Sequence, residues 1–124
     1  MIVYRVEVKD VKANVPNVGK GPYGGSGIAY KLCSDSYDDR HPTPSMEARL
    51  RYWFDSDWVC CFKSIDNLHN WFDLIDTADV SVQDACHIAT YQVPDSSYKE
   101  GRWQSIALAS DMKLIEVHPI TYRG

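Results

Sequence analysis

The chain lacks most of the signatures that would name its chemistry. Among its 124 residues there is no 18-residue apolar run, so no helical membrane span is expected. Met1-Ile2-Val3-Tyr4 leads straight into an alternating pattern, without the basic and then apolar segments of a secretory leader. Positive charge is scarce. Thirteen Lys and Arg face seventeen Asp and Glu, for a net charge of -4, which speaks against direct nucleic-acid binding, since that needs clustered cations. Such acidity suits a basic protein partner. The four cysteines (Cys33, Cys60, Cys61 and Cys86) include no CxxC pair, and the four histidines are scattered, so no metal site is expected. Cys60 and Cys61 are adjacent and would point to opposite faces of a strand, which reads as free, buried thiols in a reducing cytoplasm. A Gly-x-Ser-x-Gly elbow, an HExxH helix and a phosphate-binding G-x-x-x-x-G-K-[ST] loop are all missing. So are internal repeats and interdomain linkers.

What is present is aromatic. Four Trp, eight Tyr and three Phe make up 12% of the chain. A chain of this length can bury enough of that area to fold as one domain, residues 1–124. Residues 2–9 alternate as a half-buried strand, with Tyr4, Val6 and Val8 on one face and Val3, Arg5 and Glu7 on the other. Residues 10–29 are dense in Gly and Pro and read as a long loop. Thr43 and Pro44 open a helix whose apolar stripe is Met46, Leu50, Trp53 and Phe54. Trp58 to Phe62 reads as a central strand. Ser64 caps a helix over 65–75 whose buried face holds Ile65, Leu68, Trp71, Phe72 and Ile75. Residues 76–84 read as a polar connection and 95–101 as a turn. Strands are expected over 85–93, 102–109 and 113–117. The fold class is α+β, with small mixed, mostly antiparallel sheets and two helices.

Four features are candidates for ligand contact. Arg5 shares a strand face with Glu7; a strand arginine can hold a phosphate or carboxylate by a forked bond, or else form an ion pair on a solvated face. Ser64 stands at a helix start, where it serves a small anion site or simply caps. Residues 19–27 are glycine-rich, as a phosphate cradle or as a plain surface loop. His41 precedes Pro42-Thr43-Pro44, which would present it rigidly.

Tyr4-Arg5-Val6-Glu7, Gly21-Pro22-Tyr23, His41-Pro42-Thr43-Pro44, Phe62-Lys63-Ser64 and Tyr91-Gln92-Val93 before Gln104 give a layout that resembles small uncharacterised bacteriophage proteins. More remotely, the same order resembles the core of ADP-ribosyltransferases. That resemblance implies NAD as cofactor, held between two small sheets, with Arg5 at the nicotinamide ribose or a phosphate and Ser64 beside the nicotinamide. It departs at Gln104, which stands where that family carries its catalytic acid; an amide supplies no negative charge to the developing cation. No catalytic residue is therefore assigned. The expected function is that of a phage accessory protein, without complete catalytic machinery, that binds and inhibits a host or antiviral-defence protein in the infected cell's cytoplasm. The alternative is an NAD-dependent mono-ADP-ribosyltransferase or an NAD- or nucleotide-binding relative. A third is a structural component that works as an oligomer.

Overall fold

The computed structural model describes residues 1–22, 29–33, 50 and 52–124. His41, the start of the helix expected from Pro44, and residues 23–28 of the glycine-rich loop lie outside the described residues.

Two antiparallel three-stranded sheets organise the chain. The first places β3 (Cys86–Gln92) between β1 (Ile2–Val8) and β6 (Lys113–Pro119). The second places β5 (Ser105–Leu108) between β2 (Trp58–Cys61) and β4 (Tyr98–Glu100). Ala29–Leu32 makes a single helical turn, α1. The helices α2 (Ile65–Trp71) and α3 (Val80–Ala85) complete an α+β fold.

α2 forms where the sequence expects it. Ser64 has extended backbone angles and its Oγ accepts the Asn67 N–H at 3.0 Å, which satisfies one of the orphan donors of the first turn. Asp66 sits in that turn, where the helix dipole favours an acid. Ile65, Leu68 and Trp71 form the buried stripe. The helix stops at Trp71, shorter than expected, and a 3-10 turn follows at Ile75–Thr77. α3 falls where a polar connection was expected. Its single buried residue is Val82, so it has no apolar stripe to announce it, and Gln83 Nε2 ties it down through the Ile75 carbonyl at 2.8 Å. β4 replaces the second half of the expected turn over 95–101.

Two apolar clusters share the first sheet. One packs Val6, Ile88 and Cys86 against Leu68, Trp71 and Phe72 on the helical side. The other packs Val3, Ala89 and Tyr91 against Cys61 and Ala107 of the second sheet. The strand expected to be half-buried is therefore covered on both faces, and Arg5 and Glu7 lie inside rather than on a solvated surface. The loop after β1 contributes to that cover. It folds back through a Lys12–Gly19 bridge, buries Val18, and hands the Lys20 carbonyl to the Val8 N–H at 2.8 Å.

β2 was expected to be central. It is an edge of its own sheet, and the chain just beyond it joins the two sheets. Tyr4 and Phe62 exchange both backbone hydrogen bonds at 2.8 Å. Phe62 is anchored there by Trp71 and Phe72, with ring centroids at 5.7 and 5.9 Å. The aromatic stripe expected near Trp53 is not a core feature at its described end. Leu50 is buried, but Trp53 is 50% exposed in a turn and lies under the Lys99 ammonium at 4.0 Å. The reason is that residues 52–57 turn before β2 instead of continuing a helix.

Candidate functional site

Two of the predicted residues, Arg5 and Gln104, share a groove of about 220 Å3 where β1 meets the end of β2. Val6, Phe62, Trp71 and Phe72 form its apolar wall, and Val59 and Pro22 flank it. Arg5 and Gln104 both reach it, although they are 99 positions apart in the chain. Lys20 and Arg5 are the charged residues among the described lining, so the groove is apolar with a positive edge.

Arg5 is held from all sides. Its Nε donates to Glu7 Oε2 at 3.1 Å, Nη1 to the Cys60 carbonyl at 2.5 Å, and Nη2 to the Gly19 carbonyl at 3.2 Å. Each nitrogen of the guanidinium is thus bonded to the protein itself, in a residue only 6% exposed. Glu7, 3% exposed, collects four partners. Oε2 accepts from Arg5, from the Gly19 N–H at 3.2 Å and from the Tyr91 hydroxyl at 2.7 Å, and Oε1 meets His87 Nε2 at 3.2 Å. Burial first, and then the bond to Glu7, push the Tyr91 hydroxyl well above the ordinary tyrosine pKa. Gly19 is required by the close approach: a Cβ there would fall 2.6 Å from Glu7 Oε1. The cluster clamps β1, β2, β3 and the following loop together behind the groove.

The other predicted residues take different places. Ser64 is spent on its helix cap and does not line the groove. Gln104 is buried, and it also lines a smaller cleft with Lys63 and Glu100, which form an ion pair at 3.2 Å. The structure therefore brings Arg5 and Gln104 to one groove and leaves Ser64 at the neighbouring helix start. Cys61 is fully buried, and loss of solvent drives its thiol pKa far upward, so it is a packing group and not a nucleophile.

Sequence reasoning missed the partners of Arg5. Glu7 was visible as a same-face neighbour. Gly19, Tyr91 and His87 reach it only through the loop fold and the register that sets Glu7 opposite His87 and Val3 opposite Tyr91. It also missed a wider cavity of about 520 Å3, lined by Asn67, His69, Asn70, Asp73, Arg102 and Trp103. There the Arg102 guanidinium lies 4.8 Å from the Trp103 ring centre. His69 Nε2 donates to the Tyr122 carbonyl at 2.7 Å, and burial lowers the pKa of the ring.

Among the described residues, no helix is long and apolar enough to cross a membrane. Comparison with known proteins finds no match among curated proteins and none among solved structures. A family model described as "Bacteriophage T4 Y00F protein" matches residues 1–121, nearly the whole chain, in agreement with the resemblance to small phage proteins. The chain belongs to the bacteriophage T4 Y00F protein family.

Proposed function

We propose that this phage accessory protein works by binding rather than by catalysis, and that it docks on a host or antiviral-defence protein in the cytoplasm of the infected cell. The observation that carries this reading is the state of Arg5. A forked anion receptor presents free parallel donors and a free charge; here three of the five guanidinium N–H groups, one on each nitrogen, are taken by Glu7, Cys60 and Gly19, and Glu7 already neutralises the charge. The described lining of the groove includes Gln104 but no carboxylate. Without one, a charge-separating transfer at this groove lacks its electrostatic support. Phe62, Trp71, Phe72 and Val59 instead offer an apolar recess for a partner's side chain, with Lys20 at the rim to favour an acidic neighbour.

The experiment is affinity capture from bacterial lysate, followed by binding of the identified partner in purified form. Val59→Arg is the diagnostic variant: Val59 is partly buried against the second cluster and lines the groove, so an arginine there fills the recess, and an unchanged circular dichroism spectrum checks that the fold is kept. We expect the partner to be retained by the natural chain and lost by Val59→Arg. Equal retention by both would remove the groove as the docking site, and capture of no partner by the natural chain would remove the reading.

A second reading, an NAD-binding relative of the ADP-ribosyltransferases, draws support from one placement: Arg5 and Gln104 share a groove at the junction of two small sheets. The volume favours a fragment over the dinucleotide, since about 220 Å3 falls below the roughly 300–1,000 Å3 usual for ligand pockets. Calorimetry with millimolar NAD decides it: absence of heat removes NAD, and binding without transfer from labelled NAD leaves a binder that does not react.

A further inference from the structure

β6 presents a second surface. It pairs with β3 along one side, and its first five residues are all exposed. Three of these are large and apolar: Leu114 at 51%, Ile115 at 46% and Val117 at 50%. The pairing slips at Thr90/Tyr91, so that Glu116 faces Thr90, Leu114 faces Tyr91, and Ile115 is the extra residue of a bulge. Leu114 and Val117 therefore extend the face of Tyr91 and Ala89, while Glu116 and His118 lie on the opposite face. An apolar strand edge is a template for another strand. Lys113, Pro119 and the bulge limit how far such pairing can run. A short, bracketed edge suits a closed pair of like strands better than an open array.

We propose that β6 pairs antiparallel with β6 of a second copy across a two-fold axis through Val117. Such an axis stands perpendicular to the sheet and must pass through a residue, and the sequence selects among the choices. An axis through Ile115 falls on the bulge. One through Glu116 sets two carboxylates against each other, which is unfavourable. One through Val117 sets Val117 against its own copy and Glu116 against His118 of the second copy, twice. Glu116 and His118 are held ready for this: they bond to each other at 2.8 Å, and the His118 ring stacks on Tyr122 with centroids 3.7 Å apart. The complementarity, a carboxylate against an imidazole N–H, comes from within the strand itself, which is why the occupant is a second copy. The surface does not overlap the groove, so the pair presents two grooves.

Light scattering and sedimentation across a concentration series test the proposal on the whole chain. A short edge buries far less than the roughly 1,600 Å2 of a standard interface, so the pair should dissociate on dilution. We expect the mass to rise from 14.1 kDa towards twice that value with concentration. Val117→Lys puts like charges at the axis and should weaken association on the order of tenfold or more, with an unchanged circular dichroism spectrum because the site is half-exposed. Val117→Cys in a Cys60→Ser background should cross-link as a disulfide dimer on mild oxidation, the other three cysteines being buried. A constant monomer mass with no cross-link overturns the proposal and leaves the edge to a strand of another protein. A dimer that Val117→Lys leaves intact overturns it as well.

Discussion

Glu7 gathers four polar partners, and its two oxygens accept from its own strand, from the loop that follows and from β3. Buried ion pairs of this kind add little net stability when formed but cost a great deal when half is removed, because the remaining charge is left without solvent or partner. Glu7→Gln is the sharpest probe. The amide replaces one acceptor with a donor in a site crowded by the Arg5 guanidinium, the Gly19 N–H and the Tyr91 hydroxyl. We expect a loss of roughly 3–5 kcal/mol in chemical denaturation. A loss within error of zero would mean that the cluster is not a structural clamp, and would return Arg5 to the list of ligand groups. The sequence made Arg5 conspicuous, because Glu7 falls on the same strand face two residues on. It did not make the partners conspicuous, because Cys60 and Tyr91 lie 55 and 84 positions from the groups they bond. Distances of that kind are set by topology and register, to which local patterning is blind.

The elements divide by how much of their stabilisation is local. α2 was legible because its cap, its first-turn acid and its buried stripe are all written within eight residues, from Ser64 to Trp71. The measurable consequence lies with the cap. Ser64→Ala should lower stability by about 1 kcal/mol through the lost bond to Asn67, read as a shift in the denaturation midpoint. Partner binding at the groove should be unaffected, since Ser64 is not part of its lining. A Ser64→Ala chain of natural stability that no longer binds its partner would reverse both statements. α3 and β4 were illegible for the opposite reason. α3 buries one side chain along its length, and β4 is three residues whose ladder partner is β5, with Lys99 opposite Ile106. Each exists because its neighbours supply hydrogen bonds, and that information sits elsewhere in the chain. β1 was read to within one residue in its bounds and incompletely in its burial. Alternation reports which residues share a face, but it does not report whether a second sheet covers the polar one.

At the scale of the whole molecule, two sheets that each have few strands share one backbone junction. Among the described residues, the main-chain bonds running directly from β1 to the segment after β2 are the reciprocal pair between Tyr4 and Phe62. The groove lies against that junction, so any opening of the sheets widens the groove. Both amides should then exchange with solvent through one shared opening. Native-state hydrogen exchange should give Tyr4 and Phe62 the same free energy of opening. Values that differ well beyond error would show that the sheets loosen independently. The sequence placed the strands that form this junction but not the junction itself, since a single-residue bridge leaves no periodic trace.

Gly19 carries a consequence for how this chain can vary. The segment from Lys9 to Lys20 is attached through the buried Val18 side chain, through Asn17 Nδ2, which donates to the Ser110 carbonyl at 2.9 Å, and through main-chain atoms at Gly19 and Lys20 that bond to Glu7, Arg5 and Val8. Exposed positions such as Lys12, Asn14 and Pro16 are thereby released from any duty in anchoring the segment. Their identities can drift from one phage to another without moving the rim of the groove. The constraint is concentrated at Asn17, Val18 and Gly19, the last a position where even a methyl group would fall 2.6 Å from Glu7 Oε1.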